Sequence, residues 1–253
     1  MIYASTSLFV ILIIMFLAWL HYRSHKNAAI ADPAWALCFT AASIIYLFMG
    51  GDIIRKLLIT IMSLTWSLRL TGHLLHRYLN TSDAPRYIKV QNADKLQSLL
   101  LFLFQGSIAW VLSFPFLISN ADQALELHTW EYLGFLIWLV GFIGESRADT
   151  TLRQFKSKES NKGKVCQEGL WRYSRHPNYF FEWVVWMGFF TFSMSSPYGH
   201  LMIYCPFLIL HLLLRVSGIP LTEIQLLKSK GEAYRRYQQT TSYFIPYFSK
   251  EKP

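Results

Sequence analysis

The chain has 253 residues, of which 53% are hydrophobic and only 15% charged. That balance excludes an ordinary soluble domain and fits an all-α, polytopic integral membrane protein read as a single membrane domain over 1–253. The formal charge of +9 is therefore read as membrane topology before nucleic-acid affinity, and no nucleic-acid partner is expected.

Taken in order, the apolar runs predict about seven transmembrane helices, with six as the alternative, at 2–20, 34–50, 57–70, 97–119, 127–144, 179–196 and 201–219. The first run has no basic stretch before it and no small-residue cleavage site after it, so a retained helix is expected. Every Lys and Arg except Arg55 and Lys56 falls in the first, third and fifth connections, in the tail, or at the span ends beside them. By the positive-inside rule this puts the N-terminus outside and the C-terminus in the cytoplasm.

The loops carry the informative polar residues. Asp32 and Pro33 read as an N-cap and a first helical position, and the tail that opens with Gly218-Ile219-Pro220 reads as a helix through Tyr237. His73 and His76 are three apart, but no matching acid or histidine pattern accompanies them, so no metal site is expected. Cys38, Cys166 and Cys205 lack metal-type spacing and imply no disulfide framework, and Cys38 and Cys205, in apolar runs, read as small packing residues. There is no Gly-x-Gly-x-x-Gly and no alternation of strands with helices, which excludes a Rossmann cofactor site. A Gly-x-Ser-x-Gly elbow is also missing, so nucleophilic catalysis has no support.

The densest chemistry lies in the run GLWRYSRHPNYFFE over 169–182. Pro177 disfavours helix at His176 and suits a first helical turn, so the helix is expected to start at Pro177 or Asn178. An anion could then meet Arg172, Arg175 and the open N–H groups of that helix start together. Asn178 and Glu182 share one helix face. An ionised Glu182 facing hydrocarbon would cost roughly 2.5 kcal/mol or more, so it is expected to face a protein cavity.

This run resembles the C-terminal signature of the steroid 5-alpha-reductase superfamily, in particular its bacterial branch of uncharacterised membrane proteins. Sterol reductases and, distantly, isoprenylcysteine carboxyl methyltransferases share the Arg-His-Pro-x-Tyr core. The resemblance extends over about 32–248 through the Asp-Pro-x-Trp start, Asp83-Ala84-Pro85-Arg86-Tyr87, the Ala148-Asp149 block and Pro220-x-x-Glu223, with a reductase-like region at 145–253. It departs at 81–84, and at Phe181, where relatives commonly have glycine.

The resemblance implies NADPH-dependent reduction of a carbon–carbon double bond conjugated to a carbonyl in a hydrophobic, steroid- or lipid-like substrate, at a bacterial inner membrane. It implies that Asp149, Arg153, Asn178, Glu182 and Glu223 help hold the nicotinamide cofactor. Arg153, Lys156, Arg172 and Arg175 have the charge a pyrophosphate and a 2′-phosphate need. His176 is a candidate phosphate donor or proton source. A polar group must also polarise the substrate carbonyl; Tyr87, Tyr179 and Asp52 are candidates on residue type, and Glu182 is counted with the catalytic set. The alternatives are an S-adenosylmethionine-dependent membrane methyltransferase and a non-enzymatic membrane scaffold.

Overall fold

A computed structural model describes residues 1–80, 90, 92–216 and 218–247. The chain is all-helical and polytopic, and it divides into two compact units, 1–132 with 189–202, and 133–188 with 203–253. Among the described residues, four segments are long and apolar enough to cross a bilayer: Ile2–His25, Ala28–Leu47, Lys95–Ala121 and Gly199–Lys230. The other expected runs fall on the helices Ile53–Asn80, Thr129–Ser157 and Pro177–Ser193.

The first unit contains α1 (Ile2–His25), α2 (Ala31–Leu47), α3 (Ile53–Asn80), α4 (Lys95–Leu112) and α5 (Phe114–Ala121). Helix α2 lies against α1, α3 and α4. Its Phe39 meets Trp66 of α3 at 5.3 Å between ring centroids and Phe116 of α5 at 6.3 Å. Phe189 closes this aromatic cluster, 5.6 Å from Trp66 and 4.7 Å from Phe116. Outward side chains such as Phe9, Phe16, Leu17 and Phe104 are exposed and apolar, as a lipid-facing surface requires.

Several polar groups inside this unit are paired across helices, because hydrocarbon provides no water to satisfy them. Tyr46, fully buried, lies 2.7 Å from Ser7 and 3.0 Å from Ser113 through its hydroxyl. Thr40 and Ser67 pair at 2.8 Å, and Trp19 donates to Ser98.

Arg55 is the largest charge held inside. Its guanidinium donates to Glu131 and to the carbonyls of Ala124 and Glu126, and Asp122 lies 3.8 Å away. Asp52, weighed above as a carbonyl-polarising group, instead caps α3 by accepting from the N–H groups of Ile54 and Arg55.

Two helix ends differ from the sequence expectation for identifiable reasons. Helix α2 begins at Ala31 after a 3₁₀ turn, Ala28–Ile30, capped by Asn27, and the Asp32 carboxylate accepts from Arg77 at 2.6 Å. A cation from α3 thus captures the side chain expected to cap. In the tail, one continuous helix was expected through Tyr237, but Gly231 at φ 54° breaks it. Glycine enters the left-handed region without a Cβ clash, and two short helices result.

The second unit contains most of α6 (Thr129–Ser157) and of α7 (Pro177–Ser193), then α8 (Tyr204–His211), a π turn (Leu212–Val216), α9 (Ile219–Lys230) and α10 (Glu232–Thr240). Helices α6 and α7 touch backbone to backbone through glycines. A Cβ at Gly188 would lie 2.5 Å from the Trp138 nitrogen, and one at Gly141 would lie 2.6 Å from the Val185 nitrogen. Small residues are how helices approach closely in a membrane, where no hydrophobic force draws them together. Phe181, the departure from the resemblance, lays its ring where a Cβ of Gly144 would be, so its bulk is absorbed by a glycine on the neighbouring helix.

Candidate cofactor site

Helix α7 starts at Pro177, as its local preference dictates, and the segment ahead of it is folded onto two other elements. On one side, Trp171 donates its indole N–H to the Ala148 carbonyl of α6 at 2.9 Å and packs with Leu152, Phe155 and Cys166. On the other, Arg175 N–H donates to the Ser242 carbonyl at 2.9 Å, Ser174 Oγ to the Phe244 carbonyl at 2.7 Å, and Tyr247 N–H to the Tyr173 carbonyl at 2.9 Å. The segment after α10 therefore runs along 173–175 and fixes the signature from the far end of the chain.

Glu223, in the first turns of α9, is the hub of this arrangement. One carboxylate oxygen accepts from Arg175 Nε at 3.1 Å and from the Tyr234 hydroxyl at 2.7 Å, with His176 Nε2 2.8 Å away. The other accepts from Arg175 Nη2 at 3.3 Å and from the Gln238 amide. Arg175 has further donors on the carbonyls of Gln238 and Thr241, where a cation complements the end of α10. Its guanidinium also lies 5.3 Å over the Tyr243 ring.

A second polar group sits on α6 and α7. Asn178 donates to Asp149 at 3.3 Å, and Glu182 accepts from Trp186 Nε1 at 2.9 Å, four residues along the same helix. Asp149 and Glu182 are both buried, so each charge sits among protein groups. Tyr179 stacks its ring parallel to His176 at 5.8 Å.

The candidates therefore fall into three sets. Arg175, His176 and Glu223 are bonded together in one frame, while Asp149, Asn178 and Glu182 line the facing helices with Tyr179. Arg153, Lys156 and Arg172 are exposed. Tyr87 lies outside the described residues. Tyr234, Gln238 and Tyr243 were not singled out in the sequence, although Tyr234 and Tyr237 do share a face of α10 by their spacing. What they meet depends on a glutamate one helix earlier, which spacing does not reveal.

Burial holds His176 below the ordinary histidine range, with Glu223 opposing that shift, so it is neutral near pH 7. Burial and the adjacent Glu223 raise the Tyr234 hydroxyl, which stays a proton donor. For His176 the unfolded chain binds more protons between the lowered pKa and the unperturbed value of about 6.5. Stability is therefore full above about pH 6.5 and falls as pH drops below it. Thermal unfolding in detergent should show that acid-side slope, and His176→Gln should flatten it.

A helical membrane fold with a charged frame and a buried carboxylate pair at the mouth of α7 defines a class, the polytopic membrane proteins with a polar site beside an apolar interior. The family described as "Protein of unknown function (DUF1295)" matches residues 18–241, and the chain belongs to that family, which is steroid 5-alpha-reductase-like. An uncharacterised protein of Schizosaccharomyces pombe is 24% identical over 87% of this chain and 73% of its own length. The 3-oxo-5-alpha-steroid 4-dehydrogenases 1 of Mus musculus and Rattus norvegicus are each 37% identical over 62 residues, 24% of this chain and 24% of theirs. The match thus spans about a quarter of those two relatives. No solved structure matches the chain.

Proposed function

We propose that this protein is a membrane-embedded, NADPH-dependent reductase of a carbon–carbon double bond conjugated to a carbonyl in a hydrophobic steroid- or lipid-like substrate. The observation that supports it most is the gathering of Asp149, Asn178 and Glu182 on α6 and α7 beside the Glu223 frame, with cations left exposed on the same unit. Such a set fits a nicotinamide nucleotide. Exposed Arg153, Lys156 and Arg172 carry the positive charge that phosphates need, and the Asp149, Asn178 and Glu182 side chains match the carboxamide and ribose hydroxyls. The family membership and the partial similarity to the rodent dehydrogenases point the same way.

NADPH, bound there, supplies the hydride for the β-carbon. The chain's own part is to orient nucleotide and substrate, exclude water, polarise the carbonyl and pass a proton to the α-carbon. Tyr179, Tyr87 and Glu182 are the groups proposed for these last two tasks. The substrate reaches the site from the bilayer, and the cytoplasmic loops, with the C-terminus inside and the N-terminus outside, receive the nucleotide; in a bacterial host this places the protein in the inner membrane.

Detergent-purified protein is the material for the test. NADPH should raise the unfolding temperature more than NADH, and at about 100 times its Kd it should add about 2.7 kcal/mol. Arg172→Ala and Arg153→Ala should each weaken NADPH about tenfold, more so at low salt, with little change in the ligand-free unfolding temperature. Stabilisation by S-adenosylmethionine and none by NADPH would transfer the protein to the methyltransferase reading. Stabilisation by neither would leave a scaffold.

A further inference from the structure

We propose that Glu223 is a positioning residue that locks His176 in its Nε2–H tautomer, so that the bare Nδ1 accepts a hydrogen bond from an N–H or O–H donor of the bound nucleotide. This deepens the reductase reading and rests on it for the identity of the ligand. It replaces the two roles that residue type alone suggested for His176, phosphate donor and proton source, with the opposite one.

The argument starts from the carboxylate. Glu223 Oε1 is 2.8 Å from His176 Nε2, and a carboxylate can only accept there, so the ring proton sits on Nε2. A second proton on Nδ1 would make an imidazolium beside the Arg175 guanidinium, within a residue that is 2% exposed. Like charge and burial both disfavour that state. The neutral ring then carries a lone pair at Nδ1, and which nitrogen stays bare follows from the bond the other makes.

The surroundings hold this assignment in place. Glu223 cannot swing away without abandoning Arg175, Tyr234 and Gln238 together. The His176 backbone N–H is tied to Ser174 Oγ at 3.1 Å, and its ring is flanked by Tyr179 in parallel and by Tyr243 edge-on at 6.0 Å. A ring flip would therefore break the Glu223 contact, and any other rotation would break both aromatic contacts as well. Glu223 from α9, Arg175 beside it, Tyr179 from α7 and Tyr243 from the tail are the charged and titratable groups around the ring.

An acceptor suits one part of the proposed nucleotide and not another. Phosphate oxygens have no proton to give, so Nδ1 would repel them; a carboxamide N–H or a ribose hydroxyl would be accepted. His176 thus belongs with Asp149, Asn178 and Glu182 at the nucleoside end, and the phosphates fall to Arg153, Lys156 and Arg172.

Full-length protein labelled with ¹⁵N-histidine in detergent at pH 7.5 provides the test. The His176 signal is identified by its loss in His176→Gln, and its tautomer is read from long-range ¹⁵N–¹H correlations. A pyrrole-type Nε2 with a pyridine-type Nδ1 supports the proposal, and the converse pattern or an imidazolium overturns it without any ligand being involved. Tyr234→Phe, a mild change, should then let a detectable fraction of the other tautomer appear; an unchanged spectrum there and in Glu223→Leu, which removes the acceptor, would show that Glu223 does not set it. On adding NADPH, Nδ1 should move toward the hydrogen-bonded range. Thermal stabilisation by NADPH without that movement overturns the acceptor role but leaves the reductase reading standing. No stabilisation overturns the cofactor reading and the acceptor role with it, while the tautomer lock is still read from the ligand-free spectrum.

Discussion

Arg55→Ala is expected to lower the stability of the first unit by about 3–5 kcal/mol, because it leaves charge buried with nothing opposite it. Arg55 is 0% exposed and Glu131 1%. Removing the guanidinium takes from Glu131 its charge partner, from the Ala124 and Glu126 carbonyls their donor, and from Asp122 its nearby cation. Glu131 keeps one bond, from the His128 N–H at 2.6 Å, which is too little for a carboxylate out of water. The check is a thermal or denaturant unfolding series in detergent with a double-mutant cycle. Arg55→Met with Glu131→Gln should recover much of the loss, since removing both charges together is far less costly than leaving one of them buried alone. A single-mutant loss below about 1 kcal/mol would mean that water reaches Glu131.

The second large effect lies in the site. Glu223→Ala should cost about 3 kcal/mol or more and should abolish nucleotide-induced stabilisation, because one deletion unpairs Arg175, His176, Tyr234 and Gln238 together. Glu223→Gln keeps the shape and one acceptor, yet its amide would face the Gln238 amide, donor against donor. An intermediate loss is expected for it. Retention of full NADPH stabilisation by Glu223→Ala would separate the frame from cofactor binding altogether. The unfolding temperature without ligand and the increment with ligand have to be read as two quantities, so that lost folding is not mistaken for lost affinity.

How far these features could be read from sequence depended on whether their cause was local. The start of α7 at Pro177 was legible because proline fixes its own φ and restricts the residue before it. The helical membrane class was legible because burying twenty-odd apolar residues in a row leaves few other options. Asp32 was misread as a cap because the cation that takes it, Arg77, lies 45 residues away. Arg172 and Arg175 looked equivalent at three residues apart. They diverge because Arg172 ends a 3₁₀ turn in the open, whereas Arg175 is met by a glutamate and two carbonyls from the tail. The bond from Trp186 to Glu182 is the opposite case, an i, i+4 pair that spacing alone could have suggested.

The pairing of 173–175 with the segment after α10 sets an order for biosynthesis. Ser174 waits for Phe244, 70 residues further on, and Tyr173 waits for Tyr247. During translation the first unit's early helices can be in place while the signature still lacks its partners, so the proposed nucleotide site closes only after residue 247 has left the ribosome. A nascent chain arrested before that point should sit in the membrane and remain blind to NADPH.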